Sequence, residues 1–333
     1  MKKTFLIAAI ALCATLWPQI SLAQFVFRIT GNELKEPSYI IGTVHTIDGS
    51  LLDSIPEYQE AVAQCRQLYT EMDPNGKVLE NYLKEVKTLY ELPDSTNIFK
   101  IIDEWIPTKE SSINSNSTTE NDLNLSELLK ERMLQELNIN LDDSITKPMW
   151  NKSPLFFTDT LNNSIKEKVK DQLFGQCELI DDAIIRQAHE RGWKVSELDE
   201  LDFLPLTMLK PERMTLDLQM RMLKSILTHF EEYEQREKSK YTNERLQQCF
   251  EFVRRGDFDI FVKQYSSISF FFYDSFYKVK SRNEMWLPKI KQAMQEAPTL
   301  FDFGAGHLVG DDGVLKMLRD AGYEVTLLTK KRE

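Results

Sequence analysis

Thr299-Leu300-Phe301-Asp302-Phe303-Gly304-Ala305-Gly306-His307 is an apolar run that closes on two glycines and a histidine. Such a run reads as a buried β-strand, and glycine just beyond it lets the backbone turn sharply, so His307 is delivered to a strand-end loop. The pattern recurs near the other end of the chain. Tyr39-Ile40-Ile41-Gly42-Thr43-Val44-His45 is again apolar, and its histidine again follows a glycine by three residues. Strand-end loops are where α/β folds keep their sites. Two imidazoles presented in this way suggest a metal ion.

Outward from these two runs, strands and helices alternate. Phe25 to Arg28 and Ser38 to Gly42 read as paired strands around a turn at Gly31-Asn32, followed by a helix opening at Pro56 and a strand from Gln67 to Met72. At the far end, a helix up to Gln295 precedes the strand Thr299 to Phe303. A second helix runs from about Gly313 to Ala321, Gly322 stops it, and Tyr323 to Thr329 is a last strand. The middle contributes a third unit. Leu179, Ile180, Ala183, Ile184, Gln187 and Ala188 have helical spacing within Glu178 to Arg191, Gly192 ends that helix, and Trp193 to Leu198 reads as a strand. The expected fold class is therefore α/β, with a central mixed sheet built from both ends of the chain and flanked by helices.

Val78 to Tyr90, Leu125 to Leu137 and Pro211 to Arg254 carry apolar residues three and four apart among charged ones, and read as helices capping the sheet. Pro107 to Asn124, rich in serine, threonine and asparagine, cannot bury a core and reads as a surface loop. The expected organisation is one domain over residues 24–333, with helical insertions at about 75–177 and 205–280. No phosphate-cradling glycine loop appears, and Gly304-Ala305-Gly306 lacks the third glycine of a dinucleotide fingerprint.

Composition narrows the partners. Met1-Lys2-Lys3, the apolar run Phe5 to Trp17 and Ser21-Leu22-Ala23 form a secretory signal with cleavage expected before Gln24, so export to the periplasm or the medium is expected. Loss of Lys2 and Lys3 takes the formal charge from −11 to −13, an acidic balance that repels nucleic acid and anionic lipid. No later segment approaches the length of a transmembrane helix, so no stable membrane span is expected after cleavage. Cys65, Cys177 and Cys249 remain; one disulfide is possible, and buried free thiols are the favoured reading.

The residues around the two histidines resemble the TraB/GumN family, which includes the Tiki proteases. Family members open on a Gly-Thr-x-His strand end, here Gly42-Thr43-Val44-His45, and close on Gly-Ala-Gly-His-Leu-x-Gly, here Gly304 to Gly310. Between them lie a strand ending in glutamate near an aspartate, matched by Tyr69-Thr70-Glu71-Met72-Asp73, and an Arg-Asn helix, matched by Arg282-Asn283 with Ile290 downstream. The family's Gly-Leu-Glu segment falls on Glu197-Leu198-Asp199, so Asp199 stands where glutamate is usual. Hydrogen-bonded loop histidines are the stronger reading of the residues alone; the resemblance tips the balance to a site.

The resemblance implies a metal-dependent hydrolase, a peptidase first because the Tiki branch is described as metalloprotease, and an esterase of small substrates next. A non-catalytic metal or haem carrier uses the same histidines. His45, His307 and Glu71 are the candidate ligands for manganese, cobalt or zinc, whose ordinary ligands are neutral imidazole and carboxylate. Glu71, Asp199 and Arg282 are the candidate catalytic groups. A carboxylate at the third strand end, Glu197 or Asp199, completes the shell or acts as general base, and the sequence does not choose between them. Arg282 either binds a carbonyl oxygen as its charge develops or holds a ligating acid, and Asn283 orients either. Gly42, Gly304 and Gly306 support the two histidines. His189, His229 and the charged run Glu231 to Lys238 read as surface, and the aromatic run Phe270 to Tyr273 with Phe276 and Tyr277 as core.

Overall fold

The structure is a computed structural model that describes residues 25–93, 96–106, 124–175, 177–200, 214–268 and 273–329. The expected leader, the loop over residues 107–123 and Phe270 to Phe272 lie outside the described residues, as do the side chains of Phe276 and Tyr277. The chain divides into two compact units. One comprises Met1–Glu71, Glu178–Leu198 and Glu244–Glu333, and the other Met72–Cys177 and Asp199–Asn243.

The first unit carries a six-stranded sheet whose strands come from both chain ends and the middle. Its strands are β1 (Phe25–Gly31), β2 (Ser38–Thr43), β3 (Gln67–Thr70), β4 (Lys194–Glu197), β5 (Thr299–Gly304) and β6 (Tyr323–Leu327), in the order β4-β3-β5-β2-β1-β6. β4, β3, β5 and β2 run parallel, and β1 is antiparallel to both β2 and β6. The mixed sheet is as the alternation predicts. β1 and β2 join through a tight turn in which Gly31, Asn32 and Glu33 all have positive φ, a region glycine and asparagine enter at least cost.

Side chains alternate across the strands with period two. Phe25, Phe27 and Ile29 of β1, Ile40 of β2, and Phe301 and Phe303 of β5 face one core, whereas Val26, Tyr39, Ile41, Leu68 and Leu300 face the other. β2 and β5 are buried at every position, as parallel strands covered on both faces must be. The first face is covered by the helix Tyr273–Glu296, through Trp286, Ile290, Ala293 and Met294, and by the helix Val314–Asp320. Their spacing is that of one helical stripe. The helices Pro56–Gln64 and Ile180–Glu190 cover the second face through Tyr58, Ala61, Ile180, Ala183 and Ile184.

The helices Glu244–Arg255 and Phe258–Ile268 belong to this unit, although the expected insertion runs on to residue 280. The reason is aromatic packing: the Phe258 ring meets those of Phe25 and Phe27 edge-on at 5.1 Å. Helical periodicity says nothing of which core a helix joins.

The second unit is helical over its described residues. Lys77–Tyr90, Ile98–Glu104, Leu125–Leu137, Pro154–Phe174, Leu216–Thr228 and Phe230–Thr242 are its α-helices, and Leu129, Met133, Phe157, Leu161, Leu223 and Phe230 lie at the heart of its core. The long helical reading from Pro211 to Arg254 breaks at His229 and Asn243, the caps between successive helices. His189 and His229 are exposed. Cys65, Cys177 and Cys249 are free thiols. No helix among the described residues is long and apolar enough to cross a membrane.

Candidate functional site

Because β2, β3, β4 and β5 are parallel, their C-terminal ends lie along one edge of the sheet, where Thr43 pairs with Gly304 and Thr70 with both Asp302 and Glu197. His45 follows β2 by two residues, Glu71 follows β3 directly, and His307 sits in a 3-10 turn just past β5. The Glu71 N–H donates to the Asp302 carbonyl at 3.2 Å, continuing the β3 to β5 pairing and fixing where the carboxylate starts.

Glu71 is the hub. Its Oε1 accepts the Gly304 N–H at 2.7 Å, and its Oε2 accepts Arg282 Nη2 at 2.7 Å. The Nε2 atoms of His307 and His45 stand 3.7 Å and 3.9 Å from that same Oε1. Burial opposes ionisation of Glu71, but the charges of protonated His307, Arg282 and His45, with the Gly304 N–H, outweigh it and bring its pKa to about 2.

His307 is buried, and its ring stacks on Trp286 at 4.3 Å. Asn283 Nδ2 donates to the carbonyls of His307 and Asp312 at 3.2 and 2.8 Å, so its Oδ1 must be the atom that accepts from His307 Nδ1 at 2.6 Å. That bond puts the proton on Nδ1 and leaves the Nε2 lone pair to accept Arg282 Nη1 at 3.2 Å. Burial, helped by the charges of Arg282 and His45 and opposed by Glu71, lowers the His307 pKa to about 4. It is a neutral imidazole at physiological pH.

His45 differs. Its ring is 57% exposed, and Nδ1 bonds Asp181 Oδ2 at 2.9 Å. Asp181 is held in turn by Thr43 Oγ1, which donates to Oδ1 at 2.7 Å. Desolvation lowers the His45 pKa, but the bond and charge of Asp181 and the charge of Glu71 prevail and raise it to about 9. In the metal-free state it is an imidazolium at neutral pH.

Arg282 lies over the Trp286 ring at 4.7 Å and bridges Glu71 and His307. His45, Glu71, Arg282, Asn283 and His307 are thus brought together. Besides Glu71, the carboxylate that reaches a histidine of the site is Asp181, in the first turn of Ile180–Glu190, rather than Asp199 or Glu197. Leu198 N–H donates to the Thr70 carbonyl at 2.8 Å and extends β4; Asp199, buried one residue on, is where the chain passes into the second unit. Asp181 carries no local signal, because acids in a first helical turn are ordinary partners of the helix dipole. Asp302 is also absent from the sequence reading. It is fully buried, and burial and the charges of Asp181 and Glu71 hold its pKa well above the usual carboxylate range. Its Oδ1 has no hydrogen-bond partner among the described residues.

The glycines serve a different purpose from the turning expected of them. Gly42, Gly304 and Gly306 have no positive φ. They provide space: a Cβ at Gly304 would come 2.9 Å from His45 Nε2, one at Gly42 2.4 Å from Leu308 Cδ1, and one at Gly306 2.6 Å from the Tyr265 hydroxyl oxygen.

The donor chemistry fits a borderline divalent metal ion, with two Nε2 atoms aimed at one carboxylate oxygen and each ring anchored through Nδ1 to a second polar group. Nonetheless, among the described residues no group of three or more His, Cys, Asp or Glu is so arranged that it could hold a metal ion as it stands. The Arg282 guanidinium stands among these donors, bonded to both Glu71 and His307. The sequence model of the TraB/PrgY/gumN family matches residues 25–327, from the first residue of β1 to the last of β6. No curated protein and no solved structure matches the chain.

Proposed function

Because this chain belongs to the TraB/PrgY/gumN family, we propose that it is a hydrolase of a peptide bond, or of an ester carbonyl in a small substrate, working with a divalent metal ion held by His45, His307 and Glu71. The observation that carries this reading is the convergence of two anchored imidazoles on Glu71 Oε1. A bound divalent ion would supply Lewis acidity that polarises a carbonyl and lowers the pKa of water. Asp181 and Asn283 hold the two rings with Nε2 toward Glu71. Glu71, ionised down to about pH 2, supplies the negative charge such an ion needs. Arg282, always cationic, donates to the oxygen that gains charge as the carbonyl is attacked.

A metal-free variant is favoured by one contact, the His45 to Asp181 pair, which has the form of a base and its orienting carboxylate. With a pKa near 9, however, His45 is free to take a proton only in alkaline solution. The test is turnover of a fluorogenic peptide library and of p-nitrophenyl acetate by chelator-treated protein, with and without added Mn²⁺, Co²⁺ or Zn²⁺. Metal-restored hydrolysis is expected, and His45→Ala, His307→Ala and the double variant should lose activity by similar factors, since ligands of one ion fail together. Multiplying losses would separate the two histidines. Chelator-resistant activity that rises toward pH 9 would favour the metal-free variant, and metal binding without turnover the carrier.

A further inference from the structure

An imidazole nitrogen has a single in-plane lone pair, and at His307 Nε2 that pair is already engaged by Arg282 Nη1 at 3.2 Å. The opposite ring nitrogen cannot substitute, because Nδ1 is committed to Asn283 Oδ1 at 2.6 Å. A metal ion and the guanidinium therefore exclude one another at His307. At Glu71 they do not, since Arg282 Nη2 takes Oε2 while Oε1 is the atom that faces both imidazoles. We infer that Arg282 is a resident cation that competes with a divalent metal ion for His307, and that metal uptake requires Nη1 to leave His307 while Nη2 keeps its hold on Glu71.

This rests on the metal reading proposed above and adds a regulatory step to it. The geometry permits a small motion. The Arg282 side chain is 21% exposed, and its guanidinium lies over the Trp286 ring at 4.7 Å, a contact that keeps its attraction as the planar group slides. Release of Nη1 also has a use, for it turns a donor spent on an internal acceptor into one available to a substrate oxygen. Metal binding and exposure of the oxyanion donor are then the same event. The apparent metal affinity of the wild-type chain is lowered by the fraction of molecules in which Nη1 occupies His307.

The experiment is calorimetric titration of the full mature chain with MnCl₂, CoCl₂ and ZnCl₂, comparing wild type with Arg282→Met, which removes both the charge and the donors. Arg282→Met should bind metal at least about tenfold more tightly than wild type. Arg282→Lys, whose single ammonium cannot hold Glu71 Oε2 and His307 Nε2 in a fork, should fall between them. Thermal unfolding of each metal-free variant checks the fold, and if Arg282→Met does not fold, the comparison with Arg282→Lys decides. Metal binding by wild type that is as tight as or tighter than binding by the folded variants overturns the competition and leaves the metal site standing. If neither wild type nor variants bind any of the three ions, the metal reading falls and the competition with it.

Discussion

His45 and His307 occupy the same sequence pattern, yet their environments drive their pKa values in opposite directions, to about 9 and about 4. Each shift links stability to pH. The folded state refuses a proton at His307 that the unfolded imidazole accepts below its ordinary 6.5, so that contribution is full above pH 6.5 and is lost as pH falls through 4. Glu71, lowered to about 2, contributes fully above its unfolded value of 4.5 and loses this as pH falls through 2. For His45 the sign reverses: its contribution is full below pH 6.5 and is lost as pH rises through 9, and it is the weaker effect because the ring is largely exposed. The metal-free protein should therefore be most stable near pH 6.5, with the steeper loss on the acid side. Urea unfolding between pH 3 and 10 measures this. His307→Gln should flatten the decline between 6.5 and 4 and, because the His307 charge is the largest of the interactions that lower the Glu71 pKa, move the remaining decline due to Glu71 to higher pH; an acid limb unchanged in that variant would refute the assignment.

At the scale of the element, the two strand ends depend on glycine for different neighbours. At Gly42 a methyl group would press on Leu308, which is buried, so Gly42→Ala should destabilise the fold by about 1–3 kcal/mol, as overpacking does. At Gly304 the neighbours are the Nε2 end of the exposed His45 ring, at 2.9 Å, and Glu71 Oε1, at 3.3 Å, so a methyl group there would press on the candidate ligands rather than on the core. Gly304→Ala should unfold within a few degrees of wild type but lose metal affinity by about tenfold or more, the usual penalty of misplacing a ligand. Thermal unfolding with metal titration separates the two, and equal stability losses would show that Gly304 is needed only for packing. The glycine spacing was legible in the sequence. Its cause was not, because the atoms that would collide come from segments distant in the chain.

On the scale of the whole molecule, β5 lies between β3 and β2, so the C-terminal segment supplies a strand to the middle of the sheet as well as β6 at its edge. Leu300, Phe301 and Phe303 are fully or almost fully buried, and at ~1.5–3 kcal/mol each their burial is comparable to the ~5–15 kcal/mol by which a domain is stable. Ending the chain at Pro298 should abolish cooperative unfolding of the sheet unit, followed by circular dichroism in urea. A truncated chain with a wild-type transition would mean that β4 and β3 are held to β2 by something other than β5.

The sequence by itself determined the apolar runs that become β2 and β5, the glycine spacing that follows them, the helical stripes that cover the sheet, and five of the polar residues at the candidate site. These are readable because period, turn chemistry and motif are local properties of the chain. Tertiary structure alone decided that Asp181 rather than Asp199 meets His45, that Asp302 is fully buried with its pKa raised, and that Arg282 stands between Glu71 and His307. The strand order β4-β3-β5-β2 places segments from the start, middle and end of the chain side by side. Which side chains then meet depends on register and helix rotation, and neither leaves a mark in the local sequence.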